Sequence, residues 1–168
     1  MHRLISLCLL VLMFSGCSTA NNNNDTADNI KLDAIPVELT PHLGDQQQFV
    51  DGDEIQFLLS LGQDAYIYMY YIDAAGKVTQ LLPNPNQRSH FYSAGYFLTI
   101  PEYENLYRFT IREPYGEESI WVFASDQSIT LDQPLDAMEA IRKRIKSASD
   151  KAYGEYELRI STRAKSGQ

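Results

Sequence analysis

Cysteine is almost missing. The 168-residue chain has two, Cys8 and Cys17, and none beyond, so no disulfide can staple the residues that follow, even in an oxidising compartment. Histidine is nearly as scarce. After His2 come only His42 and His90, and a zinc site needs three or four N, S or O ligands. Positive charge is short as well. Fourteen Lys and Arg stand against 22 Asp and Glu, a formal net charge of −8. That balance argues against nucleic acid and against basic-patch binding to anionic lipid. No Gly-x-Ser-x-Gly elbow and no phosphate-cradling glycine loop occurs. Asp51-Gly52-Asp53-Glu54 gathers three carboxylates without the spaced ligands of a calcium loop; it reads as a polar turn leading into a strand. No local motif singles out a pair of carboxylates for glycoside hydrolysis. The expectation is a protein with no catalytic set, no cofactor and no bound metal.

The start of the chain is patterned. His2 and Arg3 precede an apolar run from Leu4 to Phe14, broken only by Ser6. Such a run is about half the roughly twenty residues needed to span a hydrocarbon core and fits the h-region of a signal peptide. Phe14-Ser15-Gly16-Cys17 then resembles the lipobox of bacterial lipoproteins, with Phe where Leu is commonest. The resemblance implies cleavage before Cys17 and a thioether-linked diacylglycerol on its sulfur. Two or three aliphatic chains give stable anchoring, at about 0.8 kcal/mol per buried CH₂. Ser18, in place of the Asp that retains lipoproteins at the inner membrane, implies the outer membrane, facing the periplasm. Residues 1–16 are thus the signal. Residues 17–34, with Asn21-Asn22-Asn23-Asn24-Asp25, have no apolar periodicity and read as a lipidated cysteine and tether.

Residues 35–168 read as one mainly β domain, of a size that buries a core unaided. Ile55, Phe57, Leu59 and Leu61 alternate with Gln56, Leu58 and Ser60, the two-residue period of a half-buried strand. Tyr66 to Ile72 is apolar or aromatic on both faces and suits a central strand. Asp73-Ala74-Ala75-Gly76 offers a hairpin turn, and Lys77 to Leu82 returns. Pro83-Asn84-Pro85-Asn86 imposes an irregular loop. Runs at Tyr96–Ile100, Leu106–Ile111 and Ser119–Ser125 complete the set, with Pro114-Tyr115-Gly116 turning between the last two. Strands so spaced predict an antiparallel sandwich or barrel, and a sandwich-like domain with one helix near the C-terminus is the expected fold. A stripe of Leu135, Met138, Ile141 and Ile145 predicts a helix over about 134–149, opened by Pro134. Tyr156, Leu158 and Ile160 predict a final strand over about 155–162.

From Gly52 to about Ser128 the chain resembles the family called domain of unknown function 4384. The resemblance is carried by Gly52-Asp53, Ala65-Tyr66-Ile67-Tyr68, Tyr71-Ile72-Asp73, Gly76-Lys77-Val78, Leu81-Leu82-Pro83-Asn84, Ala94-Gly95, Ile100-Pro101, Pro114-Tyr115-Gly116 and Val122-Phe123-Ala124-Ser125, in that order. It implies a β-sandwich-like module of exported or multidomain bacterial proteins. It brings no activity and no site residues. The helix and final strand would extend that core.

Aromatics are the suggestive excess: the chain has 11 Tyr. Tyr66, Tyr68 and Tyr70 share one face of a strand, and Tyr71 faces the other way. Such rings either fill the core or present a stacking surface for sugars. The loop from Asn84 to Tyr92 holds Arg88, His90, Phe91 and Tyr92, residue types that often mark binding when carried on a loop. These four are the candidate partner-binding residues, and Cys17 is the lipid-attachment site. The expected role is a lipid-anchored, non-catalytic envelope module that recruits a protein partner. A glycan- or peptidoglycan-binding module is the alternative, and a hydrolase is the third reading.

Overall fold

The computed structural model describes residues 32–43, 48–102, 107–131 and 137–166. The signal, Cys17 and the Asn-rich run lie outside the described residues.

The chain is mainly β. In order it forms β1 (Asp33–Ala34), β2 (Val37–Pro41), β3 (Gln48–Val50), β4 (Glu54–Ile55), β5 (Phe57–Leu61), β6 (Ala65–Ile72), β7 (Val78–Leu82), β8 (Phe91–Tyr92), β9 (Leu98–Ile100), β10 (Phe109–Thr110), β11 (Glu117–Ser125), α1 (Met138–Ala148) and β12 (Ala152–Arg163). The large sheet runs β1-β12-β11-β6-β7, with β3 also on β12 and β8 also on β6. The small sheet is β2-β5-β9, and β4 pairs with β10. All pairings are antiparallel except those of β1 and β3 with β12.

Alternation assigns the two faces of the large sheet. Ala65, Ile67 and Met69 of β6, Ile120, Val122 and Ala124 of β11, and Leu158 and Ile160 of β12 meet Leu39, Phe57 and Leu59 of the small sheet in the main core. The other face carries Tyr68, Tyr70, Phe123 and Tyr153, covered by Ile141 and Ile145 of α1. Those isoleucines lie four residues apart, on one side of the helix. Burying each contributes about 1.5–3 kcal/mol. Arg142 of α1 pairs with Glu155 of β12 through two hydrogen bonds, tying the helix to the sheet it covers. The fold is therefore a sandwich with a helix as third layer. Tyr66, Tyr68 and Tyr70 point to the helix layer and not into the sandwich core.

Several boundaries differ from those expected. Asp33 and Ala34, placed in the tether, are paired with Ala152 and Tyr153, and Asp33 N donates to Lys151 O at 2.7 Å. Gly154 makes this possible, because a Cβ there would collide with the Ile35 carbonyl. The final strand is longer than expected at both ends, since β12 follows β11 over nine paired positions, from Glu117–Ser161 to Ser125–Tyr153. The described helix begins at Met138; Pro134 and Leu135 lie outside the described residues. The run from Ile55 to Leu61 is split, because Ile55 pairs with Phe109 while Phe57 pairs with Pro41 and Ile100. Only Leu98–Ile100 of the Tyr96–Ile100 run is strand. Asp51-Gly52-Asp53-Glu54 is a turn as expected: Gly52 has φ +86, and Asp53 Oδ2 accepts from Val50 N at 2.9 Å.

A buried acid sits at one end of the main core. Glu118 is 4% exposed, and its Oε1 accepts from Thr162 Oγ1 at 2.9 Å. Burial pushes its carboxyl above the ordinary value of 4.5. A raised folded-state pKa means that the native chain binds the proton more tightly than the unfolded chain. Stability from this group is full below the unfolded value and is lost as pH rises through the folded one. Glu118→Gln should therefore be more stable than wild type at neutral pH, with the difference vanishing in acid. Denaturant titration across that range checks it; an offset independent of pH would refute it. Asp126 and Glu155 work in the opposite sense. Burial works to raise Asp126, but backbone donors at Lys151, Asp150 and Ala152 outweigh it and hold it low. The hydrogen bond from Arg142 lowers Glu155. Their contributions fade as pH falls.

Candidate functional site

The loop after β7 is built around Asn84. Its Nδ2 donates to Leu81 O at 2.6 Å. Its Oδ1 accepts from the backbone N–H groups of Asn86 and Gln87 at 2.8 and 2.9 Å. Asn side chains favour such turns because they copy the bonding of a backbone carbonyl. Gln87 then turns inward, and its Nε2 donates to Tyr92 Oη at 2.6 Å and to Glu102 Oε1 at 2.9 Å.

The four sequence candidates do not share one surface. Arg88 is exposed. Phe91 is 48% exposed and lies against Tyr66, with ring centroids 4.9 Å apart. His90 sits over Tyr68 at 5.0 Å, with Nε2 3.3 Å from the Tyr68 hydroxyl. Tyr92 is buried, 8% exposed, and donates to Glu102. The cause is the pairing of Phe91–Tyr92 with Tyr66–Ala65, since neighbouring strand residues point to opposite faces. Tyr92 therefore belongs to the main core and is not a surface contact. Burial, then the Glu102 carboxylate, push its phenol up. Tyr68 and Tyr70 are 1% and 3% exposed, so those two rings offer no platform to a sugar, and Tyr66 is half-buried.

The loop does border a groove. Its floor and walls are Tyr71 of β6, Thr79, Gln80 and Leu81 of β7, the turn Asn84–Asn86, and the segment Tyr107–Thr110, enclosing about 380 Å³. Phe109 is the hub of the aromatic wall, with ring centroids 5.6 Å from Phe57, 6.4 Å from Tyr71 and 6.2 Å from Tyr107. Thr79, Gln80, Asn86 and Arg108 supply polar groups at its lip. A shallower depression over Pro83, Asn84, Pro85 and Arg88 adjoins it. β7 also ends the large sheet, with β6 as its only strand partner among the described residues. An edge strand leaves backbone donors and acceptors open to an added strand. The groove thus combines an apolar wall, amide and hydroxyl groups and a strand with a single strand partner among the described residues, whose Leu81 carbonyl is capped by Asn84 and Tyr107. The signal for it was present in the alternation of Tyr107 and Phe109 with Arg108 and Thr110. Reading that run simply as a strand hid its inward and outward faces.

A second apolar feature was also missed. Tyr96 and Phe97 are 73% and 78% exposed. They follow a turn made by Gly95, at φ +88, and anchored where Asp64 Oδ1 accepts from Ala94 N at 2.8 Å. Among the described residues, no group of three or more His, Cys, Asp or Glu side chains is placed to hold a metal ion.

The groove, the loop and the exposed turn all fall within one stretch of sequence. Residues 48–128 match the family model described as Domain of unknown function (DUF4384). The likeness carried by the sequence motifs is shown. No curated protein and no solved structure matches the chain. The DUF4384 segment holds β3 to β11, and with them every groove residue. It leaves out β1, β2, α1 and β12. Yet β12 lies between β11 and both β1 and β3, inside the large sheet. The C-terminal helix and strand are integral to the fold and not an addition to a finished core.

Proposed function

We propose that the chain is a lipid-anchored, non-catalytic module of the bacterial cell envelope that recruits a protein partner through the groove beside β7. The lipid-modified residue is Cys17, the location is the outer membrane, and the partner seats an extended segment along β7. The groove carries this reading. It sets the β7 edge, which has no outer strand partner among the described residues, beside the Tyr71, Phe109 and Tyr107 rings. Strand addition draws affinity from backbone hydrogen bonds and specificity from side-chain pockets. The edge is short, and a bulge interrupts it opposite Met69 and Tyr70, features that limit indiscriminate pairing. Arg88 stands at the adjoining depression, where a partner's acidic or carbonyl group would meet it.

The test uses exposed residues outside the core. Gln80 and Asn86 are exposed, and neither packs in the core. A Gln80→Pro, Asn86→Ala double variant removes one β7 donor and one lip amide. Because Tyr70 pairs with Gln80, an Asn86→Ala, Arg88→Ala variant controls for damage to the strand. Both should lower partner capture from solubilised envelope about tenfold or more, a loss of about 1.4 kcal/mol. The control should keep its wild-type melting temperature. Wild-type capture by both variants would refute the groove. Retention on isolated peptidoglycan through the same residues would favour the glycan reading, which the ring wall and amides also suit.

A further inference from the structure

The strand registers place the exposed aromatics at the end of the sandwich where the chain enters. In the large sheet, Ser125 pairs with both Tyr153 and Tyr66. Beside them, Asp33 pairs with Ala152, and Ala65 pairs with Tyr92. In the small sheet, Val37 pairs with Leu61, and Leu59 with Leu98. Gly62 N donates to Pro36 O at 2.8 Å, and Ala94 N donates to Asp64. The start of β1, the Gly62–Asp64 link and the Ala94–Phe97 turn therefore lie at one end. The Asp73–Gly76 hairpin turn, beyond Ile72, lies at the other.

We propose that Tyr96 and Phe97 rest in the interface of the bilayer that holds the Cys17 lipid, and so fix the orientation of the domain on that membrane. The inference rests on the lipid-anchor reading. Fifteen residue steps separate Cys17 from Leu32, a covalent path of at most about 50 Å. The anchored end is thus always within reach of the surface, and it is the end that bears the two most exposed large apolar side chains among the described residues. The chemistry fits a lipid surface. Tyr combines an apolar ring with a polar tip, Phe is wholly apolar, and such residues concentrate at the boundary between headgroups and acyl chains. Acids also lie at this end, Asp33 and Asp150 among them exposed, so the contact is carried by the two rings and not by charge. Asp64 is engaged by Ala94 N, and Asp126 by the N–H groups of Asp150 and Lys151. With Tyr96 and Phe97 against lipid, the groove beside β7 stays lateral and open to the periplasm.

The mature lipoprotein has no reactive thiol if Cys17 is acylated, so one introduced cysteine can be labelled cleanly. Phe97→Cys and, as the control at the opposite end, Ala75→Cys would each carry an environment-sensitive fluorophore. Each full chain would be reconstituted in phosphatidylethanolamine-rich vesicles with a minority of phosphatidylglycerol. Spin-labelled lipid is the quencher. The label at Phe97 should be quenched about threefold or more above that at Ala75, because interfacial side chains sit about 5–10 Å into the headgroup boundary. Flotation of the same vesicles reads the anchor separately. A chain that floats while both positions quench equally overturns the proposal and leaves the anchor standing. A chain that fails to float overturns the anchor and the proposal with it. A Phe97 label shielded only by an added envelope extract, and not by lipid, shows a protein occupant and also overturns it.

Discussion

A chain ending at Ser128, the last residue of the matched segment, will not fold. It lacks Ile129, Ile141, Ile145, Tyr153, Leu158 and Ile160, all buried. At about 1.5–3 kcal/mol for each large apolar side chain, their loss matches or exceeds the roughly 5–15 kcal/mol that holds a domain together. The geometry makes the outcome sharper than the sum. Without β12, the nine paired positions of β11 lose their partner on that side, and β1 and β3 lose the one strand they pair with among the described residues. Without α1, Tyr68, Tyr70 and Phe123 face water. Far-UV circular dichroism and thermal melting should show a chain without a cooperative transition. A cooperative melt from the truncated chain would contradict the central placement of β12.

Cys17→Ser should abolish lipid labelling entirely. Serine keeps the size of the side chain but lacks the sulfur that forms the thioether to diacylglycerol. At about 0.8 kcal/mol per buried CH₂, two or more aliphatic chains suffice for a stable anchor, and the variant is expected to lose them. Radiolabelled palmitate should enter the wild type and not the variant. The variant should appear either in the soluble fraction or as an unprocessed precursor. Wild-type label on the variant, or a processed variant that stays with membranes after a high-salt wash, would contradict the lipobox reading.

Much of the architecture was legible because alternation is a direct record of burial. The β6 pattern, the Gly76 turn with φ +82 and the Ile141–Ile145 stripe each needed only local spacing. What was illegible depended on partners distant in sequence. Asp33–Ala34 is a two-residue strand, too short to show alternation, whose pairing exists only because β12 and Gly154 accept it. Tyr92 is a candidate contact by residue type on a loop, and the spacing alone leaves its direction open. Its direction is set by Ala65 and by Gln87 and Glu102, which no spacing reveals. Tyr96 and Phe97 show the converse. An apolar run suggested a strand, but Gly95 turns the chain and leaves both rings outside. The groove draws on β6, β7 and Tyr107–Thr110, so it could not be assembled from any one stretch.

The central claim is that the groove beside β7 holds a protein while the chain is anchored at the outer membrane. Site-specific photocrosslinking in intact cells tests it most directly, with the reactive group at Asn86 in the groove lip and, as reference, at Glu38, exposed on the outer face of the small sheet. The account predicts one discrete, heavier adduct from Asn86, none from Glu38, and loss of the adduct when the Asn86 probe is combined with Cys17→Ser. No adduct from Asn86, or the same adduct from both positions, would contradict it.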